Sequence, residues 1–150
     1  MSYKFKLQKL LDFREKLEEK SKLSFMDAIM EKNKTEEELG VLRENYNKYK
    51  VIPNETSTVN KKIIQNYLNL INTSIETKKD VLETKKEILE EKRVELIKAQ
   101  VDKKTVEILK DKDYKKYIKE ENYKEQKQVD EFALYGHIRK GFERRWKIWN

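Results

Sequence analysis

The sequence contains no cysteine, and it has only one proline, one histidine and three glycines. Without cysteine the chain forms neither a disulfide framework nor a thiolate metal site, and this composition is typical of a reducing cytoplasm. The sole histidine, His137, has no second histidine to join it in a metal site or a catalytic triad. The glycines are scattered, so no phosphate-binding loop is predicted. We therefore expect no catalytic residue, no metal and no cofactor, and the chain is not predicted to be an enzyme.

Long apolar runs are also missing, since the longest one extends only from Phe132 to Tyr135. A membrane-spanning helix needs about 20 predominantly apolar residues. A secretory signal peptide needs an apolar segment of about 7 to 15 residues. The sequence predicts neither of them.

The composition favours extended helices over a round core. Charged residues make up 42% of the chain and hydrophobic residues 37%, compared with about 25% and about 45 to 50% in an ordinary globular domain. Disorder is the other outcome of so polar a composition, but disordered chains lack regular apolar periodicity and are often rich in proline and glycine. Regular periodicity is present here.

One very long helix is predicted between Asn54 and Tyr135, where neither proline nor glycine occurs. A helix with a narrow apolar stripe depends on a partner helix, because intrinsic helix propensity is weak. The period of this stripe is close to 3.5 residues, which is typical of a coiled coil. Its members recur in steps of three, four or seven, at Ile64, Tyr67, Ile71, Ile75, Leu82, Leu89, Leu96, Ala99, Val106 and Leu109.

The nearest candidate for the partner helix is the segment before Pro53. Its stripe shows a local stutter between Leu17 and Phe25, where two steps of four follow each other. Pro53 disfavours helix at the preceding residue, and Ser57 or Thr58 is suited to cap the next helix, so a turn is predicted here. The first-arm positions are Phe5, Leu10, Phe13, Leu17, Ser21, Phe25, Ala28, Thr35, Leu39, Leu42, Tyr46 and Tyr49.

The predicted fold is all-α, a long two-helix antiparallel coiled-coil hairpin with unequal arms. We expect a single domain in which arm one covers about residues 5–50, the tip about 51–58 and arm two about 59–135. Gly136 is predicted to end the second helix. A basic aromatic tail, residues 137–150, follows it.

The predicted register places the turn near Glu55, so that the numbers of facing residues sum to about 110. Arm two then extends beyond arm one by about 30 residues. This overhang is rich in tyrosine and is a candidate partner surface. The predicted facing pairs are Tyr46 with Ile64, Leu42 with Leu68, Leu39 with Ile71, and Leu10 with Gln100, and the overhang contains Val106, Leu109, Tyr114, Tyr117, Tyr123, Val129, Phe132 and Tyr135.

The net charge of +7 is concentrated at the end of the chain, where five basic residues of 137–150 stand against Glu143. Elsewhere both signs are interspersed, as on a solvated helix face. The tail itself is compatible with an anionic-lipid anchor, an RNA-binding tail or a disordered end.

Two stretches resemble the FliJ family, a small coiled-coil component of the bacterial flagellar type III export apparatus. The first is Phe5–Arg14, Phe-Lys-Leu-Gln-Lys-Leu-Leu-Asp-Phe-Arg, similar to the family's opening pattern. The second is Glu125–Ala133, Glu-Gln-Lys-Gln-Val-Asp-Glu-Phe-Ala, which is close to a carboxy-terminal motif of the family and includes Gln126, Asp130 and Glu131.

This resemblance implies a hairpin similar to the central stalk of rotary ATPases, acting as a stalk or coupling factor. The implied partners are the hexameric flagellar export ATPase, the cytoplasmic domain of the membrane export gate, and export chaperones. No nucleic-acid partner is expected. The implied location is cytoplasmic and peripheral at the cytoplasmic face of the cell membrane. Membrane contact through the tail is one of the open interpretations of the tail residues themselves.

The resemblance also implies a gate-binding patch built from both arms near the tip. Its tyrosines are the members most suited to contact a partner, since their hydroxyls need water or a hydrogen-bond partner, whereas Leu42 and Ile71 fit a helix core better. Asn45 departs from the aromatic residue expected at its position. The patch consists of Glu38, Leu42, Asn45, Tyr46 and Tyr49 on arm one, and Tyr67, Ile71, Ser74 and Lys78 on arm two.

Two other functions stay open on the residues alone. The same periodicity would serve a structural rod that associates with copies of itself, because the stripe could pair with another chain. The basic charge would serve an RNA-binding protein.

Overall fold

The computed structural model describes residues 2–149 and contains two helices. Helix α1 covers Gln8–Lys50 and helix α2 covers Thr58–Trp149, 43 and 92 residues long. The helices pack against each other as an all-α hairpin, and residues 2–149 contain no strand. The predicted fold class and the unequal arms are confirmed.

The chain divides into two compact units. One combines the residues up to Asp12 with those from Lys104 onward, and the other is Phe13–Lys103. We call them the terminal unit and the tip unit. The prediction of a single domain stays a prediction.

The connection between the helices follows its sequence signals. The amide of Asn60 donates to the Ser57 hydroxyl at 3.3 Å, so Ser57 is the cap of α2 as predicted. A turn precedes it, in which the amide of Thr56 donates to the carbonyl of Pro53 at 3.1 Å. Proline thus stands shortly after the end of α1, where a helix cannot continue.

In the tip unit the contact stripe of α1 keeps a strict alternation of three- and four-residue steps. Leu39, Thr35 and Ala28 are buried on it, and so is the carboxylate residue Glu18. The predicted stutter is therefore wrong, because the stripe passes through Glu18 and Arg14 in place of Leu17 and Phe13. The predicted stripe followed apolar residues only and so included Phe13, which is 55% exposed and does not lie in the contact.

Helix α2 has the same regularity, with lysines at several contact positions. Leu68, Ile71, Ile75 and Leu82 are buried, and half-buried lysines stand between or after them. Tyr67 lies beside this stripe and is 42% exposed, which corrects its prediction as a stripe residue. Across the helices the charged pairs of the tip unit are Arg14 with Asp102, Glu18 with Lys103, Glu31 with Lys85, and Glu38 with Lys78.

These pairs show that the predicted register is wrong by about six residues. The prediction placed Arg14 opposite about residue 96, whereas its guanidinium lies 2.9 Å from the Asp102 carboxylate. At the other end Tyr49 meets Tyr67, so the residues of α2 before Tyr67 extend past the end of α1. Residues 51–57 therefore have to connect Lys50 to Thr58 over the length of that extension, roughly 13 Å of helix, and do not close a tight turn.

In the terminal unit the amino-terminal residues cover part of the predicted overhang. Val106 is buried, and the ring of Tyr3 lies 5.1 Å from Tyr114 and 5.4 Å from Tyr117. The Tyr3 hydroxyl donates to the Asp113 carboxylate at 3.1 Å. The uncovered part of α2 therefore begins later than predicted, and it still includes the exposed residues Tyr123, Val129, Phe132 and Tyr135.

The predicted helix end at Gly136 is also wrong. Helix α2 continues to Trp149, and neither Gly136 nor Gly141 has a positive φ. A glycine inside a helix costs about 1 kcal/mol relative to alanine. No proline follows, so the backbone donors needed for further helical turns are present. The segment predicted as a tail is thus the last part of α2.

Gly40 offers a simple test of this helical backbone. A Cβ atom added there meets nothing within 4 Å, and the backbone is helical. We expect Gly40→Ala to raise the free energy of unfolding by about 1 kcal/mol, since alanine has less backbone entropy to lose. Thermal unfolding followed by circular dichroism measures this. A lowered melting temperature would instead show that another chain approaches the backbone at Gly40.

Candidate functional site

The structure brings the predicted gate-binding patch together at one end of the tip unit. The floor of the patch is the buried cluster of Leu39, Ile71, Ile75 and Leu82, against which Leu42 and Tyr46 pack. Ile71 is only 4% exposed. Ile71 therefore supports the surface from below, in agreement with its predicted suitability for a helix core.

The two outer tyrosines form a contact between the helices. The rings of Tyr49 and Tyr67 lie 5.3 Å apart at 87°, an edge-to-face pair, and their residues are 40% and 42% exposed. The Lys48 ammonium lies 5.5 Å from the centre of the Tyr49 ring. Such a pair holds two aromatic side chains in place while leaving much of both accessible. Pre-positioned aromatic groups lose little entropy on binding a partner.

A charged pair lies about three helical turns further along both helices from the two tyrosines. The Lys78 ammonium donates to the Glu38 carboxylate, and this hydrogen bond is the main reason that the pKa of Glu38 is lowered. Both residues are half-buried, as are Asn45 and Ser74. The patch therefore has an apolar floor, an aromatic edge and a charged edge, which is the composition of a protein-binding surface more than of a reactive site.

The carboxy-terminal motif has no such floor. Gln126, Asp130 and Glu131 are all exposed on α2. They belong to the terminal unit, whereas the patch belongs to the tip unit. Their binding role stays a prediction from the family resemblance.

Sequence reasoning missed the charged pairs between the helices, of which Glu18 is the most buried. Its carboxylate lies 2.8 Å from the Lys103 ammonium and 2.9 Å from that of Lys22. These two hydrogen bonds lower the pKa of Glu18. Extending the regular steps of three and four residues backwards from Leu39 would have found it, because they lead to Glu18 regardless of polarity.

We expect Glu18→Gln to destabilise the tip unit in a pH-dependent way. The pKa of Glu18 is lower in the folded state than in the unfolded chain. Its ionised carboxylate therefore stabilises the fold fully at pH values above the pKa of the unfolded chain, and this stabilisation is lost as the pH falls through the lowered pKa. The variant should lose about 1 to 2 kcal/mol at neutral pH. The difference from the parent chain should shrink below about pH 4. Urea unfolding across that range measures it.

The exposed neighbour Glu19 provides a matched control, since Glu19→Gln removes the same charge from the same turn of α1. It should change stability by less than about 0.5 kcal/mol at every pH. Equal losses for both variants would mean that net charge matters and the contact with Lys103 does not.

The described residues, 2–149, also bear on metal and membrane sites. No group of three or more His, Cys, Asp or Glu side chains in this range is placed to hold a metal ion. No helix in the described part of the chain is long and apolar enough to cross a membrane.

Comparison with known proteins identifies the family. The family model for the flagellar FliJ protein matches residues 3–142. No curated protein and no solved structure matches the chain. Because the family model covers nearly the whole sequence, the chain belongs to the FliJ family, and the predicted resemblance is confirmed.

Proposed function

We propose that this FliJ-family chain is a non-enzymatic stalk or coupling factor that links the hexameric flagellar export ATPase to the membrane export gate. Membership of the family makes it a component of the flagellar export apparatus. The more specific role rests on the hairpin and on the patch at its tip. Its location would be cytoplasmic, peripheral at the cytoplasmic face of the cell membrane.

The observation that carries the proposal is the aromatic and charged surface of the tip unit. Tyr49 and Tyr67 stand side by side and exposed, with Glu38 paired to Lys78 beyond them. These residues come from two segments that are distant in sequence, and the buried cluster beneath them holds the surface together. The cytoplasmic domain of the export gate is the partner we assign to it.

The export ATPase is assigned to a separate part of the hairpin, because a coupling factor has to contact both partners at once. The seam between the helices suits a part that transmits force, since sliding one helix along the other would break the Arg14–Asp102 pair and the Tyr49–Tyr67 contact in the tip unit. Export chaperones are the third class of partner that we propose.

The experiment is a pull-down with the full-length chain from a flagellated host, followed by binding measurements with purified ATPase and purified gate domain. Recovery of both partners, with simultaneous binding in a ternary complex, is the expected result. A chain that recovers only itself would support a self-associating rod instead. Recovery of RNA that is lost steeply as salt rises would support an RNA-binding protein.

A further inference from the structure

The last part of α2 is an exposed amphipathic helix, which we call the tail helix, residues 134–149. Its large apolar side chains are between 46% and 87% exposed. They belong to one continuous helix with the rest of α2. Trp146, Ile148 and Trp149 lie beyond the residues that the family model matches. The exposed residues are Leu134, Tyr135, Ile138, Phe142, Trp146, Ile148 and Trp149.

Helical geometry separates the two kinds of side chain in the tail helix. At about 100° per residue, the seven apolar side chains fall within an arc of about 160°, with Gly141 and Arg145 among them. The remaining arc carries Lys140 and Lys147 near its centre, and Arg144 lies about 60° from that centre. Arg139 and Glu143 stand towards one side of it. A surface helix of a protein normally turns its apolar arc towards a core, but here that arc is bare.

Arg145, the one cation inside the apolar arc, lies against an aromatic ring. Its guanidinium is 5.5 Å from the centre of the Phe142 ring. Arginine can lay its aliphatic stem along apolar surface while its charged end reaches a polar layer. At the boundary between lipid tails and headgroups this arrangement satisfies both ends of the side chain.

We propose that the tail helix lies in the surface of a bilayer that contains anionic lipids. Helices that bind there carry tryptophan, phenylalanine and leucine on one face and lysine or arginine on the other, and tryptophan favours the depth of the headgroups. Five basic residues against one acidic residue match the negative charge of such a surface.

Other occupants fit less well. Single-stranded RNA binds where aromatic rings for stacking and cations for phosphates share one surface, whereas here most of the cations face away from the rings. A second copy of the tail helix would bring together two basic segments, which repel each other. The inference is independent of the proposed export function, because it uses only residues of the tail helix.

The chain contains its own reporter, since Trp146 and Trp149 are the only two tryptophans. The full-length protein is titrated with vesicles of phosphatidylcholine alone and with vesicles that also contain phosphatidylglycerol. We expect a saturable blue shift of tryptophan fluorescence with the anionic vesicles, weakening as salt is added. Phosphatidylcholine alone should give little shift.

Two double variants separate the contribution of the apolar face to vesicle binding from the contribution of net charge. Ile138→Glu with Phe142→Glu places two acids in the apolar arc, and Gly136→Glu with His137→Glu places two acids in the polar arc. Both change net charge equally and keep both tryptophans. We expect the first pair to bind the anionic vesicles at least about tenfold more weakly than the second, because its apolar contacts are lost. Lys140→Gln with Lys147→Gln should weaken binding about 25-fold, or about fivefold for each charge.

Circular dichroism confirms that each variant keeps its helix content before it is compared. Absence of a blue shift with anionic vesicles would overturn the proposal, and so would equal binding by the two acidic pairs. A shift produced by an RNA oligonucleotide and by neither kind of vesicle would also overturn it. It would assign the tail helix to nucleic acid.

Discussion

Replacing Tyr49 and Tyr67 together by alanine should weaken binding to the cytoplasmic domain of the export gate by about 30-fold or more. This corresponds to about 2 kcal/mol, the loss expected when a central aromatic anchor of an interface is truncated. The edge-to-face contact holds both rings, so truncating both removes the whole aromatic edge of the patch. Isothermal titration calorimetry with the purified gate domain measures the change.

Fold and ATPase binding should survive in that double variant, because neither tyrosine belongs to the buried cluster. The matched control is Tyr123→Ala with Tyr135→Ala, which removes two tyrosines that are 71% and 69% exposed on α2. We expect the control to bind the gate domain normally. If the Tyr49 and Tyr67 variant unfolds early and loses both partners together, the two tyrosines belong to the core and the patch is wrongly assigned.

Leu39→Ala should have the largest effect on stability. Leu39 is 3% exposed and contributes to the cluster that joins the helices in the tip unit. Removing a buried leucine costs its transfer free energy and leaves a cavity, together about 2 to 5 kcal/mol. We expect a loss of about 3 kcal/mol in the free energy of unfolding. A chain of this size loses about 2 to 4 °C of melting temperature for each kcal/mol, so the melting temperature should fall by about 6 to 12 °C.

Val41 lies two residues away on the same helix and is 56% exposed. Val41→Ala should leave the melting temperature within about 2 °C of the parent, since exposed substitutions change stability by less than about 0.5 kcal/mol. Equal effects of the two substitutions would mean that the helices do not pair through the stripe that contains Leu39.

Periodicity was sufficient to predict the architecture but not the register. The absence of proline and glycine after Asn54, and the turn residues around Pro53, specify two helices and where they meet. The register depends on the path of residues 51–57, and turn residues do not reveal whether a connection is tight or extended. Because the connection is longer than a tight turn, the observed pairing differs from the predicted pairing by about six residues.

Burial in the helix interface was predicted from hydrophobicity, which failed where charged residues occupy contact positions. Glu18 is buried because the ammonium groups of Lys22 and Lys103 neutralise its charge. Phe13 is exposed because it lies on a side of α1 that does not face α2. The helix end at Gly136 failed for a related reason, since a single glycine only weakens a helix. For the patch, the sequence predicted its members, whereas the contact between Tyr49 and Tyr67 required coordinates.

The spacing of the charged pairs allows more than one alignment of the two helices in the middle of the tip unit. Glu31 and Glu38 are seven residues apart, as are Lys85 and Lys78, their partners. Sliding one helix by a heptad would bring Glu38 opposite Lys85 and Glu31 opposite Lys92, so the middle of the interface scarcely distinguishes the two alignments. The Tyr49–Tyr67 contact and the Arg14–Asp102 pair would both be broken by such a slip. The contacts at the two ends of the tip unit therefore select one of several alignments that the repeating charged pairs would allow.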